Sequence, residues 1–555
     1  EPLEPAESLP ALAPAAGFRW ELVAAEPLVR DPVSLEFDEH GVAYVLELPT
    51  YNRHAKPEAQ VRGSIRRLED VDGDGRFDRS THFADDLNYP TGLLCYDGGL
   101  IVGDVPDLLL LRDTTGDGRA DHREVLLTGF RGDMAGEGHL NSFRWGLDNR
   151  IHISSGIGGG DIHRPGDDGG KVALGIRRVV LLMPARSFEL ASGGGQFGMA
   201  RDDWGRFYVC DNSRPALTLM YDDRYVARNP WMSAPPAAQS ALAGAPGRLH
   251  RISPLEPWRV MRTRMRMDGE FAGPTEGGVP SGLFTAATGI TVYRGDAWPA
   301  SHRGNLLVGE PANNLVHRLR VAPQGVGVAA APADEGREFA ASRDTWHRPV
   351  QFAHGPDGAL YVVDMYRELI EGAAFLPPEV LQQMDPLAGC ERGRIYRIVP
   401  TDFVQPPLQP LGAMSTSQLV AQLTHPNGWR RDTASRLLYE RQDAAAAPLV
   451  RDLLATTDQP LGRLHALAVL AGLDALAETD VARGLADEHP GVRAHAVRLA
   501  EPLVAGSSAL ADRLAALVDD PAAEVRYQLA FSSWALPRAL RDSTLVALLR
   551  RDGAD

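Results

Sequence analysis

Two acidic loops carry the clearest chemical pattern in this sequence. In DVDGDGRFDRST, aspartates occupy positions 1, 3, 5 and 9 with Gly75 at position 6, and DTTGDGRADHRE repeats this spacing with Gly118. Ca²⁺ takes roughly six to eight oxygen ligands, and glycine permits the sharp turn that wraps them round one ion. The flanking segments resemble strands, so we predict structural Ca²⁺ in hairpin loops; the alternative is that both remain empty turns. The predicted ligands are Asp70, Asp72, Asp74, Asp78, Asp113, Thr115, Asp117, Asp121 and Glu124.

The segment GEGHLNSFRWGLDNRIHISSGIGGG combines a possible base with binding groups. His139 precedes an alternating strand, and histidine can act as a general base because its ordinary pKa lies near working pH. The neighbouring glycines allow the backbone to approach a ligand closely. We predict His139 as a catalytic base and Asn141 and Arg144 as cofactor-binding residues. The alternative is a histidine that only bonds a neighbouring loop.

Arginines and carboxylates alternate in DTWHRPVQFAHGPDGALYVVDMYREL. Arg348 precedes its strand, and Asp364, Tyr366 and Arg367 follow it. Arginine binds carboxylates bidentately, so the two arginines could clamp an anionic ligand; alternatively they only neutralise nearby acids. We predict the clamp, with Asp364 and Tyr366 as orienting catalytic groups. Amides, tyrosines and acids at equivalent places suit a polyhydroxylated ligand, and the predicted substrate-binding residues are Glu47, Tyr51, Asp211, Glu310, Asn313, Asn314 and His317.

Six short segments that share one pattern would position these residues. Each has a turn, an alternating hydrophobic strand and a polar or glycine stop, and they recur about every 50 to 60 residues with one double-length gap, as propeller blades do. The segments are GVAYVLE, GLIVGD, NRIHISSG, GRFYVCD, GNLLVGE and GALYVVD. We therefore predict a six-bladed β-propeller in which Glu47, Asp104, Asp211, Glu310 and Asp364 converge on one rim.

The sequence changes character after a Pro-rich linker. From Leu411 onward, Ala, Leu and Arg recur at helical spacing, and Pro426, Pro460, Pro490 and Pro521 each begin an apolar stretch. The arginines that follow these prolines are Arg430, Arg463, Arg493 and Arg526. This pattern predicts a HEAT-like α-solenoid. The predicted boundaries are a tail at 1–17, the propeller at 18–402 with an insertion at about 221–282, a linker at 403–412 and the solenoid at 413–555.

Composition excludes several classes of function. At a net charge of -16 without a basic stripe, the chain would repel nucleic acid. Its three cysteines form no CxxC or CxxCH motif, so a thiolate zinc site and a covalently attached c-type haem are excluded. No apolar run is long enough to span a bilayer. The start of the chain lacks the pattern of a signal peptide, so we expect a processed, periplasmic or secreted protein.

Several of these segments together resemble a known family. LEDVDGDGRFD, FADDLNYPTGL, NSFRWGLDN and HRPVQFAHGPDGALYVVDMYRE are similar to segments of the large membrane-bound dehydrogenases of planctomycetes, which join a glucose/sorbosone-dehydrogenase-like propeller to HEAT repeats and often a c-type cytochrome. The resemblance implies that His139 takes a proton while hydride passes from a sugar to pyrroloquinoline quinone. It further implies that Arg348 holds the carboxylates of the quinone. The cytochrome motif is missing from this chain.

These observations lead to one main functional hypothesis and two alternatives. The main hypothesis is quinone-dependent oxidation of a sugar or polyol at the mouth of the channel, with a cytochrome or another electron acceptor docking on the solenoid. The first alternative is a carbohydrate-active hydrolase or lyase that uses the acidic rim and His139, since paired carboxylates can cleave glycosides. The second is a non-catalytic propeller that binds glycan or protein.

Overall fold

Six antiparallel sheets surround a central channel in the structure, which is a computed structural model. It describes residues 1–52, 61–132, 138–176, 178–182, 187–229, 231–244, 246–273, 275 and 278–553. The innermost strands of the sheets pack side by side in a closed circle. In blade order, these inner strands are Pro32–Phe37, Pro90–Tyr96, Asn141–Trp145, Met199–Arg201, Thr288–Val292 and Pro349–His354. The six-bladed propeller predicted from the repeat is confirmed.

The repeated sequence segments form the second strand of each blade. These strands are buried because neighbouring blades cover both of their faces. In blade order they are Ala43–Glu47, Gly99–Asp104, Ile151–Ser154, Phe207–Asp211, Leu306–Glu310 and Leu360–Asp364. The third strands are Gly63–Glu69, Asp107–Arg112, Arg178–Leu182, Arg214–Leu219, Leu315–Gln324 and Arg394–Pro400. The outer strands are Arg79–Leu87, His122–Phe130, Phe188–Ser192, Ala238–Ser240, Ala340–Ser342 and Phe18–Ala25.

The outer strand of blade 6 closes the ring. Phe18–Ala25 comes from the start of the chain and pairs antiparallel with Arg394–Pro400, so both ends of the propeller share one sheet. Other strands widen blades 2 and 5. A hairpin that leaves blade 3 adds Gly160–His163 and Val172–Leu174 to blade 2, and Leu12–Pro14 and Gly327–Pro332 extend blade 5.

The propeller has two distinct faces. We call the end at which inner strands begin and second strands end the upper face, and the opposite end the lower face. The two acidic loops join third to outer strands in blades 1 and 2, so both lie on the lower face. The predicted insertion at 221–282 is divided between the faces, because the outer strand Ala238–Ser240 falls within it. Residues 220–229 and 231–237 lie on the lower face, and the described residues that follow the strand, among them helix Pro257–Met267, cover the upper face.

The C-terminal region consists of helices packed in two successive layers, as the predicted solenoid requires. One layer contains Thr416–Gln422, Ala446–Thr456, Glu478–Leu485, Ser508–Ala516 and Arg538–Asp552. The other contains Gly428–Arg441, Pro460–Gly472, Pro490–Ala500 and Ala523–Ser532. Short helices elsewhere are Pro5–Ser8, Asp223–Val226 and Pro378–Leu381. Among the residues that the structure describes, no helix combines the length and the apolar character needed to cross a membrane.

The solenoid lies across the lower face and contacts a turn from every blade. The ring of Trp204 stacks on that of His489 at 3.9 Å between centroids, and Asn149 Nδ2 donates to the carbonyl of Ala468 over 3.0 Å. Contacts from the other blades are made by Glu39, Asp97, Arg294 and Gly355. The layer of helices that contains Gly428–Arg441 therefore packs against the propeller. The solenoid closes the channel at the lower face.

Arginines link successive solenoid repeats to one another. Arg493 and Arg526 form bidentate ion pairs with Asp520 and Asp552, at N–O distances of 2.7 to 2.9 Å, and Arg463 pairs in the same way with Asp487. Each also donates to carbonyls five or six residues earlier. In the first repeat, the residue that makes these carbonyl contacts is Arg431, one position after Arg430.

Candidate functional site

The five acids of the predicted rim lie at equivalent places on the upper face, but each of them is hydrogen-bonded within the protein. Every one is buried and accepts the backbone N–H of a residue that precedes its own blade's inner strand. The donors and N–O distances are Arg30 to Glu47 at 2.8 Å, Tyr89 to Asp104 at 2.7 Å, Gln196 to Asp211 at 3.1 Å, Ala286 to Glu310 at 3.0 Å and Arg348 to Asp364 at 2.7 Å. The recurring carboxylate thus fixes the point at which the chain enters each blade.

Arg348 is fully buried, and its guanidinium is bonded within the protein. Its Nε donates to the carbonyl of Arg367 at 2.9 Å, its Nη1 to that of Pro311 at 2.9 Å and its Nη2 to the carboxylate of Glu256 at 2.8 Å. Glu256 lies in the segment that covers the upper face. Arg348 therefore joins this segment to blade 6.

Arg367 is also fully buried and forms a bidentate ion pair with Asp31, at 2.7 and 2.5 Å. Burial raises the pKa of Asp31 to about 7, although Arg367 opposes this shift. The guanidinium of Arg367 lies 5.7 Å from the ring centre of the buried Tyr51. The sequence pattern did not reveal Asp31, because its partner is 336 residues away.

Other predicted groups of blade 6 bind neighbouring segments. The second carboxylate oxygen of Asp364 lies 2.7 Å from His347 Nδ1, and both side chains are buried. The hydroxyl of Tyr366 donates to Asp344 at 2.7 Å and accepts the backbone N–H of Leu3 at 2.7 Å. Tyr366 thereby holds the N-terminal tail on the propeller.

In blade 5 the predicted substrate-binding residues hold the segment above them. Asn313 accepts from the hydroxyl of Ser281 at 2.8 Å, and Asn314 accepts from that of Ser253 at 2.7 Å. His317 Nδ1 lies 2.7 Å from a carboxylate oxygen of Glu338. Burial raises the pKa of Glu310 to about 8, so this carboxyl is largely protonated at neutral pH.

His139 lies at the start of blade 3 on the upper face and is buried, with its ring edge-on to Tyr89 at 5.0 Å. Asn141 donates to the carbonyl of Gln196 at 2.9 Å and accepts from Gly198 N at 3.0 Å, which joins blades 3 and 4. Arg144 lies near the opposite end of the same strand, where it pairs with Glu36 at 2.9 Å. The structure thus does not bring Arg144 to His139.

The lower end of the channel encloses a cavity of about 130 Å³. Inner strands of all six blades and the solenoid helix Gly428–Arg441 line it. Arg201 and Arg294 pair there with Asp432, and these two arginines hold the pKa of Asp432 well below its usual range despite burial. The cavity is therefore part of the contact between the two domains.

An open pocket of about 660 Å³ lies on the upper face between blades 2 and 3. It is formed by the end of the outer strand of blade 2 and by the hairpin that blade 3 adds to it. Its lining includes Gly158, Gly159 and Gly160, and it includes the charged or polar residues Arg131, Asp161, His163 and Lys171. The last three glycines of the run GIGGG, which stands out in the sequence, lie in this lining. The charged residues of the lining form no recognisable pattern in the sequence.

Gly158 forms part of the wall of this pocket and lies close to His139. A Cβ atom placed on Gly158 would lie 3.5 Å from His139 Nδ1. The amides of Ile157 and Gly158 both donate to the carbonyl of Gly138 at 2.8 Å, which fixes the wall against the residue that precedes the histidine. His139 therefore lies next to a residue that lines the pocket, but it is buried and does not line the pocket itself.

The first acidic loop has the geometry of a cation site. Carboxylate oxygens of Asp70, Asp72 and Asp78 lie within 4.8 Å of one another, close enough to share one ion. Asp74 accepts the backbone N–H of Arg76 at 2.7 Å. These hard oxygens suit Ca²⁺, which would tie the hairpin together.

The second acidic loop repeats the backbone pattern of the first. Asp113 accepts from Gly116 and Gly118, and the Gly118 amide lowers the pKa of this carboxyl. Asp121 accepts from Thr114, Asp117 from Arg119, and Thr115 bonds Asp113. Glu124 lies outside the loop, on strand His122–Phe130, with its carboxylate 3.8 Å from His122.

The two arginines of the predicted clamp do not fit the role of holding a quinone in this structure. A clamp requires guanidinium groups that face an open site, whereas Arg348 and Arg367 are fully buried and bonded to Glu256, Asp31 and backbone carbonyls. Accepting an anion there would require these internal bonds to break. No step through a quinone at these arginines follows from the geometry.

Comparison with known proteins yields distant structural likenesses and one family match. A luciferin-regenerating enzyme is 11% identical with a TM-score of 0.38, covering 71% of this chain and 100% of its own. A Thermus thermophilus oxidoreductase described as a glucose dehydrogenase is 16% identical (TM-score 0.37, 69% and 100% covered). The pyranose dehydrogenase PQQ domain from Coprinopsis cinerea is 13% identical (TM-score 0.36, 70% and 97% covered). Likenesses this remote carry no argument about activity.

No curated protein matches the chain. Residues 4–402 match the family described as a domain of unknown function, DUF7133. The match spans the N-terminal tail and the whole propeller, and it ends before the solenoid. The chain therefore belongs to the DUF7133 family.

Proposed function

We propose that the protein is an oxidoreductase of sugars or related polyols, with its substrate in the pocket between blades 2 and 3. The observation that carries this proposal is that the buried His139 lies against Gly158, which lines a pocket of about 660 Å³. The resemblance drawn from the sequence implies the same histidine as the base.

The geometry suggests a limited set of roles for this chain. The glycine wall leaves room for a sugar ring to lie close to the backbone, since no side chain projects from it. His139 would accept the proton of the hydroxyl that is oxidised once the substrate reaches it past Gly158, and the hydride would pass to an external two-electron acceptor, the role that the dye has in the assay below. The buried arginines of blade 6 do not bind that acceptor in this proposal.

The hydrolase alternative has less support. Glycoside cleavage usually needs two carboxyl groups about 5 to 9.5 Å apart. Among the described residues that line the pocket, Asp161 is the single acid, and the acids of the rim are buried in contacts with backbone amides. A binding propeller without catalysis is the second candidate, because His139 is itself 2% exposed.

A dye-linked assay tests the proposal. Purified protein would be given neutral and acidic sugars with a phenazine dye, with and without pyrroloquinoline quinone and Ca²⁺. We expect dye reduction with at least one sugar, and a loss of about 100-fold or more in His139→Asn, the range typical of general base catalysis. The exposed His122→Asn is the matched control and should keep full activity.

Three outcomes would overturn the proposal. Release of sugar fragments without dye reduction would make the protein a hydrolase or lyase. Sugar binding with no oxidation under any condition would make it a binding module. Full activity in His139→Asn, with unchanged urea unfolding, would remove the histidine from the reaction.

We further propose that Asp70, Asp72 and Asp78 hold a structural Ca²⁺. Their mutually close oxygens support this role, and the position of the loop on the lower face, away from the pocket, argues against a role in catalysis.

A further inference from the structure

The segment 156–160 borders both His139 and the pocket between blades 2 and 3. Its sequence is GIGGG, so Ile157 is its one residue with a side chain. Gly158, Gly159 and Gly160 line the pocket, whereas His139 is buried and lies outside the lining. A substrate that binds in the pocket therefore needs this part of the protein to move before it can contact the imidazole.

The segment crosses from one blade to another, and each of its ends continues into a different sheet. It follows Ile151–Ser154, the second strand of blade 3. It leads into Gly160–His163, which pairs with the outer strand of blade 2. Residues 155–159 lie outside both strands. A short crossing that is anchored at both ends and rich in glycine can change its backbone angles while the two sheets stay in place.

Glycines with positive φ lie at both ends of the crossing. The φ angles are 63° at Gly156, 69° at Gly159 and 145° at Gly160, a region that other residues rarely adopt. A Cβ atom on Gly156 would lie 2.5 Å from the carbonyl oxygen of His139, so the two backbones are in close contact there. These glycines are the hinge positions that a movement of the segment would use.

Contacts with Gly138 hold the middle of the segment in place. The amides of Ile157 and Gly158 share the carbonyl oxygen of Gly138 as their acceptor, each at 2.8 Å. The side chain of Ile157 covers Gly138, since a Cβ atom on that glycine would clash with Ile157 Cγ1. If these contacts were released, Gly158 could move away from the imidazole beside it.

We propose that residues 156–160 form a gate between the pocket and His139, closed in this structure and held shut by the side chain of Ile157. This inference rests on the proposed function for the reaction behind the gate, but the movement can be measured without turnover. The closed gate keeps the imidazole away from solvent, and the open gate admits the hydroxyl that is oxidised. Such a gate reconciles a buried base with a substrate that binds in an open pocket.

A disulfide across the gate tests this inference. A Cβ atom on Gly138 would lie 3.6 Å from Ile157 Cβ, within the range of about 3.5 to 4.5 Å found in disulfides, so Gly138→Cys with Ile157→Cys should lock the gate shut. The partly exposed Cys390 would be replaced by serine, and modification by diethyl pyrocarbonate would be measured by mass spectrometry before and after reduction. We expect His139 to react at least tenfold more slowly in the oxidised form, and the exposed His122 to react equally in both. Equal rates for His139 in the two forms would overturn the inference.

A single substitution tests the gate without a crosslink. Ile157→Gly removes the side chain that covers Gly138 and should raise the rate of His139 modification at least fivefold, whereas Ile157→Val should stay near the wild-type rate. His347 of blade 6 is the internal control, because it is as deeply buried as His139 and reports general unfolding. An unchanged rate for His139 in Ile157→Gly, or an equal rise for His347, would contradict the gate.

The dye-linked assay separates this inference from the proposed function. After removal of the reductant, the reduced double variant should oxidise the sugar at least tenfold faster than the locked form. Slower modification of His139 in the locked form, without dye reduction by the wild type, would leave the gate standing and refute the oxidation. Equal dye reduction by the locked and reduced forms would overturn the gate and leave the oxidation standing.

Discussion

Glu310 shows how burial changes the chemistry of a single residue. The sequence suggested a charged acid that binds substrate, but desolvation raises its pKa to about 8 from an ordinary value of 4.5. Folded protein therefore holds a proton here more tightly than unfolded protein. The stability contributed by this group is complete below pH 4.5 and is lost as the pH rises to about 8, at up to about 1.4 kcal/mol per pH unit.

Glu310→Gln should remove this pH dependence, because the amide stays neutral throughout. We expect the free energy of unfolding of the variant, relative to wild type, to rise steadily between pH 5 and pH 8. Urea unfolding at four pH values in that range measures the difference. A constant difference across the range would show that Glu310 is ionised in the folded protein.

Residue types alone could not separate structural from functional roles at the upper face. The predicted clamp arginines have the right chemistry, but Asp31 and Glu256, the acids that bind them, lie far away in sequence. His139 remains a prediction from its sequence neighbours, and the charged residues of the nearby pocket form no pattern in the sequence. The roles of polar groups depend on long-range contacts that the local pattern does not encode.

At the scale of elements, the acid that ends the second strand secures its blade. Asp104 accepts the N–H of Tyr89 at 2.7 Å and is 2% exposed. Removing it would leave a buried backbone donor without a partner, which costs about 1 to 3 kcal/mol. The same geometry recurs in five blades, which explains why the sequence repeat ends in a carboxylate.

Asp104→Ala should therefore destabilise the protein by about 1 to 3 kcal/mol, whereas Asp104→Asn keeps an acceptor oxygen and should cost clearly less. The midpoints of urea unfolding distinguish the two variants, and dye-linked activity should persist in both. Equal losses of stability in the two variants would mean that charge, and not the hydrogen bond, is what the blade requires.

The elements themselves were largely predictable. The second strands of the six blades recur at similar intervals, and prolines mark the starts of solenoid helices. Both patterns are local, so they can be seen directly in the sequence. Strand Ala238–Ser240 was missed, because it is short and lies within a stretch that resembles an insertion. The hairpin that blade 3 adds to blade 2 was also missed, since pairing across blades leaves no local pattern.

At the scale of the molecule, the series of arginine–aspartate ion pairs that links the solenoid repeats continues into the propeller. Asp487 lies six residues before Arg493, the arginine of its own repeat, and binds Arg463 of the preceding repeat. Asp520 is related in the same way to Arg526 and Arg493. The residue that would pair with Arg431 by this rule is Thr457, six residues before Arg463, and it has no carboxylate. Arg431 instead pairs with Asp203 of blade 4.

Asp203→Asn should lower the free energy of unfolding by about 3 kcal/mol, because it removes the carboxylate that pairs with the buried Arg431 and with Arg294. Adding Thr457→Asp should recover part of this loss by supplying the missing carboxylate within the solenoid. Urea unfolding of the single and double variants measures the recovery. A double variant no more stable than Asp203→Asn alone would contradict this account of the first repeat.

The central claim is that the functional site lies between blades 2 and 3 on the upper face, beside His139. Hydrogen–deuterium exchange of the wild type, with and without the sugar that the dye-linked assay oxidises fastest, tests this location most directly. We predict protection in peptides that cover residues 128–132 and 156–164. Protection confined to residues 343–348 and 365–373, beside the arginines of blade 6, would contradict the claim and return the site to the clamp first inferred from the sequence.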